Sequence, residues 1–93
     1  MDLSEAKKMA EGYLETIRGS CPVEIDFNFS ITEEFPVGYV FYYNSKEYWE
    51  TKDFSKSLAG NGPVLVKKDT GELVVLPSNQ GVKRSLRELG LLD

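Results

Sequence analysis

The chain has 93 residues, with 15 acidic and 11 basic side chains and a formal net charge of −4. It has no histidine and one cysteine, which excludes Ser-His-Asp and Cys-His catalysis, His-containing zinc sites, an internal disulfide and any CxxC motif. So short a chain makes one domain, 1–93, with a folded surface of roughly 5,400 Å² and one thin core rather than a deep enclosed cleft.

Residues 3–18 have the pattern of an amphipathic helix. Leu3, Ala6, Ala10, Tyr13, Leu14 and Ile17 recur at three- and four-residue steps, with Met9 beside them. Asp2 and Glu5 form a capping pair on the first free amides. Gly19 is placed to end the helix in a left-handed conformation, and Gly12 marks close packing of the helix on a sheet. Residues 23–31 alternate: Val23, Ile25, Phe27, Phe29 and Ile31 on one side, Glu24, Asp26, Asn28 and Ser30 on the other. That pattern predicts a half-buried strand, followed by a turn over 32–36. Residues 37–43, VGYVFYY, suit a central strand covered on both faces, or one with an exposed aromatic face.

Residues 44–62 are irregular and long for a connection, which points to function or to a hidden short element. Asp53 to Ala59 would make one or two helical turns, with Phe54 and Leu58 inward and Gly60 as the stop. Two short strands follow at 63–68 and 72–76, joined by a hairpin in which Gly71 takes the positive φ. A last helix is expected over 80–89, capped by Ser78 or Asn79. Val82, Leu86 and Leu89 lie on one face, Lys83, Arg84 and Arg87 on the other, and Gly90 ends it. The predicted fold is α+β and two-layer: a four-stranded antiparallel sheet with an N-terminal helix and a short C-terminal helix on one face, in the order α-β-β-β-β-α.

The segment MDLSEAKKMAEG has no basic region before an apolar core, no run approaches 18 apolar residues, and the lone Cys21 fits a reducing compartment. A cytoplasmic protein without a signal peptide is expected. Charge is uneven: residues 1–34 carry −5, residues 35–60 are neutral and residues 61–93 carry +1. This is not the clustered basic charge that nucleic acid requires, and it suits solubility or a basic protein partner.

Catalytic and metal signals are weak. Cys21 has no histidine to activate it and is taken as a structural thiol. Glu33 and Glu34 are adjacent in a turn rather than facing one substrate. Gly60-Asn61-Gly62-Pro63 precedes a strand, the wrong order for a phosphate loop. No cofactor, no metal and no enzymatic activity are expected. The aromatic set is more informative: Tyr39, Phe41, Tyr42, Tyr43, Tyr48 and Trp49 fall within eleven residues. Either they are core, or part of them is a binding surface flanked by Glu47, Glu50 and Asp53. By the pleat, Tyr39, Phe41 and Tyr43 share one face and Val40 and Tyr42 the other. If both faces of strand 37–43 are covered, the site moves to the 44–62 loop.

In chain order, an aromatic strand runs into Glu47-Tyr48-Trp49-Glu50-Thr51-Lys52-Asp53, then Leu58-Ala59-Gly60-Asn61-Gly62-Pro63, a Val64-Leu65-Val66 strand and Asp69-Thr70-Gly71-Glu72. This order resembles the bacterial immunity-protein-35 (YrhB-like) family. Two departures are Lys52, where the family often has glycine, and Lys67, where it often has aspartate. The resemblance implies an α+β protein that binds and neutralises a cognate toxin of its own cell by blocking it stoichiometrically, without catalysis. The expected partner-binding residues are Tyr42, Glu47, Tyr48, Trp49, Glu50 and Asp53, in a monomer or homodimer. The alternative is a chaperone-like holdase or general protein-binding module with no dedicated toxin.

Overall fold

A computed structural model of the chain describes residues 2–58 and 62–92. Helix α1 spans Leu3–Arg18, and Asp2 caps it by accepting the Glu5 N–H at 2.9 Å. Ala6, Ala10 and Leu14, four residues apart, are its fully buried stripe. Arg18 ties its end to the next strand by donating from Nη1 to the Ile25 carbonyl at 2.7 Å. Gly19 is right-handed (φ −65°), contrary to expectation, because 3-10-type turns continue past it: Ser20 N–H donates to Ile17 and Cys21 N–H to Arg18. Gly12 is exposed, and a Cβ there would meet nothing within 4 Å, so it is not a packing contact. Gly12→Ala should therefore stabilise the protein by about 0.5–1 kcal/mol, read as a higher urea midpoint at unchanged slope.

Six strands replace the four expected. They are β1 (Ile25–Phe27), β2 (Glu33–Phe35), β3 (Gly38–Phe41), β4 (Tyr43–Ser45), β5 (Val64–Lys67) and β6 (Leu73–Val75). β2-β3-β5-β6 form a four-stranded antiparallel sheet, and β1-β4 a separate pair. The cause lies at Asn28. Its side chain accepts the Ser30 N–H at 3.1 Å, and Phe29–Ile31 turn into a 3-10 helix. A local side-chain bond thus outcompetes the ladder that the alternation predicts. Phe27 faces Tyr43 and Glu33 faces Val40, so five residues, 28–32, oppose two, 41 and 42. The first half of one long hairpin is bulged, and the bulge divides it between two sheets. Glu33–Phe35, expected in a turn, are a strand, and the turn shrinks to Pro36-Val37.

The α+β class with helices at both ends is as predicted, but the two helices do not share a face. Tyr39, Phe41, Val64 and Val66 pack with α1, β1, Phe29 and Tyr43. Val40, Leu65, Phe35 and Leu76 pack with Leu86 and Val82 of α3 (Val82–Glu88). The strict alternation along β3 and β5 puts these sets on opposite faces, so the sheet is covered from both sides. The two-layer expectation gives way to a sheet between helices. Gly38 is required at the centre of this sheet, since a Cβ there would lie 2.1 Å from the Val66 carbonyl oxygen. Gly71 closes the β5–β6 hairpin at φ 73° as expected, and Gly90 follows α3 at φ 73°. The cap of α3 is Gly81, not Ser78 or Asn79. Gln80 instead donates to Ser85 Oγ and Glu88 across the first two turns. Leu89, expected on the buried face, is half-exposed.

Candidate functional site

With both faces of β3 covered, the candidate aromatic surface falls within residues 44–58. That stretch holds a helix the sequence pattern did not show, α2 (Lys46–Thr51), and a 3-10 turn at Phe54–Lys56. Ser45 builds both. Buried at the end of β4, its Oγ accepts the Tyr48 N–H at 3.0 Å and donates to the Lys56 carbonyl at 2.5 Å. Asn44 supports it: Nδ2 donates to Ser57 Oγ, and Oδ1 accepts the Leu58 N–H at 2.8 Å. A serine cap before Lys46-Glu47 was the available signal for α2. Helical turns expected from Asp53 to Ala59 reduce to three residues, and the proposed stop at Gly60 lies outside the described residues. Leu58 packs inward against the α1 core as predicted.

Phe54 does not turn inward. It is 82% exposed. Asp53 explains this: its carboxylate accepts both the Ser55 N–H and hydroxyl, starting a 3-10 turn that aims Phe54 outward. Those Ser55 donors hold the Asp53 carboxyl below the usual range. The Phe54 ring lies 5.9 Å from Tyr48, and Tyr48 lies 5.3 Å from Trp49. Trp49 is fixed by donating Nε1–H to the Asp26 carbonyl at 2.8 Å. Lys52 ends α2 at φ 59°, with Nζ 5.0 Å from the Trp49 ring centroid and 6.0 Å from that of Tyr48.

The other expected residues are spread around this cluster. Tyr42 lines a shallow depression of about 440 Å³ with Tyr48 and Trp49. Its hydroxyl donates to the Glu33 carboxylate. Glu47 and Glu50 open onto a separate depression of about 670 Å³, with Lys46, Lys56, Val23 and Glu24. Glu47 pairs with Lys56 at 3.8 Å. The structure thus joins Tyr48, Trp49 and Phe54 in one patch, seats Tyr42 at its rim, and sets Glu47 and Glu50 on a neighbouring flank. Among the described residues no group of acidic or cysteine side chains is arranged to hold a metal ion. None of the helices there is long and apolar enough to cross a membrane.

Burial, then the hydrogen bond to Glu33 and its charge, push the Tyr42 phenol well above the tyrosine range. Burial first, with Tyr13 and Cys21 adding to it, raises Tyr43 as well. A raised folded pKa gives stability that is present below the ordinary tyrosine value of about 10 and lost as pH rises beyond it. Stability should therefore fall above pH 10, and Tyr42→Phe should make that fall shallower. Denaturant midpoints measured from pH 8 to 12 check this.

The family model described as "Immunity protein 35" matches residues 4–88. The chain belongs to the immunity protein 35 family. It is 33% identical over 54 residues to "Uncharacterized protein YrhB" of Escherichia coli (strain K12), covering 58% of this chain and 57% of that protein. The chain thus matches less than two thirds of that relative's length. No solved structure matches the chain. As a family member, this chain is notable at Lys52, where the resemblance leads one to expect glycine. The position is left-handed (φ 59°), a conformation that costs an L side chain about 1–2 kcal/mol. Lys67, the other departure, pairs across the hairpin with Glu72 at 2.9 Å.

Proposed function

We propose that this protein is a cytoplasmic immunity protein that binds and neutralises a cognate bacterial toxin, one to one, by covering it. The observation that carries the reading is Phe54, an aromatic ring 82% exposed and tilted at 47° against Tyr48, on a segment pinned by buried Ser45 and half-buried Asn44. A large apolar side chain held in water has no folding benefit, whereas interface hot spots are aromatic and pre-ordered. Tyr48, Trp49 and Phe54 anchor the contact and Tyr42 borders it. Glu47 and Glu50 meet basic groups of the toxin on one flank, while Asp53 holds the turn that presents Phe54. The mechanism is steric and electrostatic and needs no catalytic step.

The experiment is co-purification with the toxin encoded beside the gene, followed by an assay of toxin activity. A stoichiometric complex with suppressed activity is the expected result. Failure to bind the neighbouring product, with suppressed aggregation of unrelated unfolded proteins, would favour the holdase alternative.

A further inference from the structure

Resting on that reading, we infer that Lys52 recognises a carboxylate of the toxin: the patch takes a partner segment that sets an acidic side chain beside an apolar one. Among the described residues Lys52 is the one non-glycine with positive φ. That backbone delivers its ammonium to the faces of Trp49 and Tyr48. Among the described residues Lys52 makes no ion pair, as is also true of Lys7, Lys8, Lys83 and Arg87, but of these cations it is the one placed over the Trp49 and Tyr48 rings. The carboxylates nearest in sequence are turned elsewhere. Asp53 is bound to Ser55, Glu47 to Lys56, and Glu50 lines the neighbouring depressions.

The Trp49–Tyr48 side of the patch is therefore cationic and apolar, although the protein is acidic overall. A partner that covers Phe54, Tyr48 and Trp49 also strips water from the Lys52 ammonium. Ring faces compensate only part of that loss, and a buried charge is retained at low cost only with a counter-charge. A toxin aspartate or glutamate over Lys52, with an adjoining apolar side chain on Phe54, satisfies both demands. The acidic flank at Glu47 and Glu50 and the basic side chain of Lys52 would then form a charge pattern that excludes mismatched toxins.

The test is titration calorimetry of the full chain against the neighbouring toxin, comparing Lys52→Arg, Lys52→Gly and Lys52→Glu with the wild type. Arginine should bind within about threefold of lysine, glycine about tenfold more weakly, and glutamate about a hundredfold more weakly. The glycine variant separates binding from folding, because it relieves the left-handed backbone and should melt no lower than the wild type. Equal binding by the glycine variant, or tighter binding by the glutamate variant, would overturn the inference and leave the immunity reading intact. No complex with wild-type protein would overturn both.

Discussion

Phe54→Ala should leave the fold intact and weaken the proposed toxin complex by about 2 kcal/mol or more, roughly thirtyfold. The side chain is 82% exposed and touches the rest of the protein mainly through the Tyr48 ring. Its removal should shift stability by no more than about 0.5 kcal/mol, the range of ordinary surface substitutions. Trp49→Ala is the less clean probe, since it also removes the hydrogen bond to Asp26 that seats α2 on β1. Urea melts and toxin titration of the Phe54 variant together decide the matter. Unchanged affinity would place the binding surface elsewhere, whatever the family does.

Phe41→Ala should lose about 3–5 kcal/mol, the range for a fully buried aromatic ring. The ring is wholly buried at the end of β3, with edge contacts to Phe27 at 6.0 Å and Phe29 at 5.6 Å, and Tyr39 stacked at 6.4 Å. Ala6, Ala10 and Leu14 of α1 belong to the same cluster. Its loss thus opens a cavity where both sheets and α1 meet. Domains of this size have about 5–15 kcal/mol in total, so the variant would be marginally folded near 37 °C. Phe41→Leu should recover most of the loss. A fall below about 1 kcal/mol in Phe41→Ala would show that this cluster does not hold the two sheets together.

Where local pattern and local energy agree, the chain was legible. The α1 stripe, the Asp2 cap, the Gly71 hairpin and the division of Tyr39 and Phe41 from Val40 follow from periodicity and turn chemistry alone. Legibility stopped where one polar side chain redirects the backbone. Asn28 breaks an unbroken alternation, Ser45 nucleates α2 within a polar stretch, and Asp53 turns Phe54 out of the core. Each is a sequence-local hydrogen bond to a backbone N–H, and none changes the hydrophobic period that signals an element. Folded surface, by contrast, was set by length: 5652 Å² against the roughly 5,400 Å² expected from mass.

The absence of histidine, a property of the sequence alone, excluded histidine-dependent catalysis. The order of motifs from Glu47 to Glu72 carried the family. The number of sheets, the placement of α1 and α3 on opposite faces, and the exposure of Phe54 were decided only in the tertiary structure. The reason is physical: periodicity says that a side has to be buried, but what buries it depends on contacts far apart in the chain. Strand 37–43 was compatible with a covered or an open aromatic face until α1 and α3 were placed on its two sides. That placement moved the candidate surface onto α2, with Lys52 over its Trp49 and Tyr48 rings.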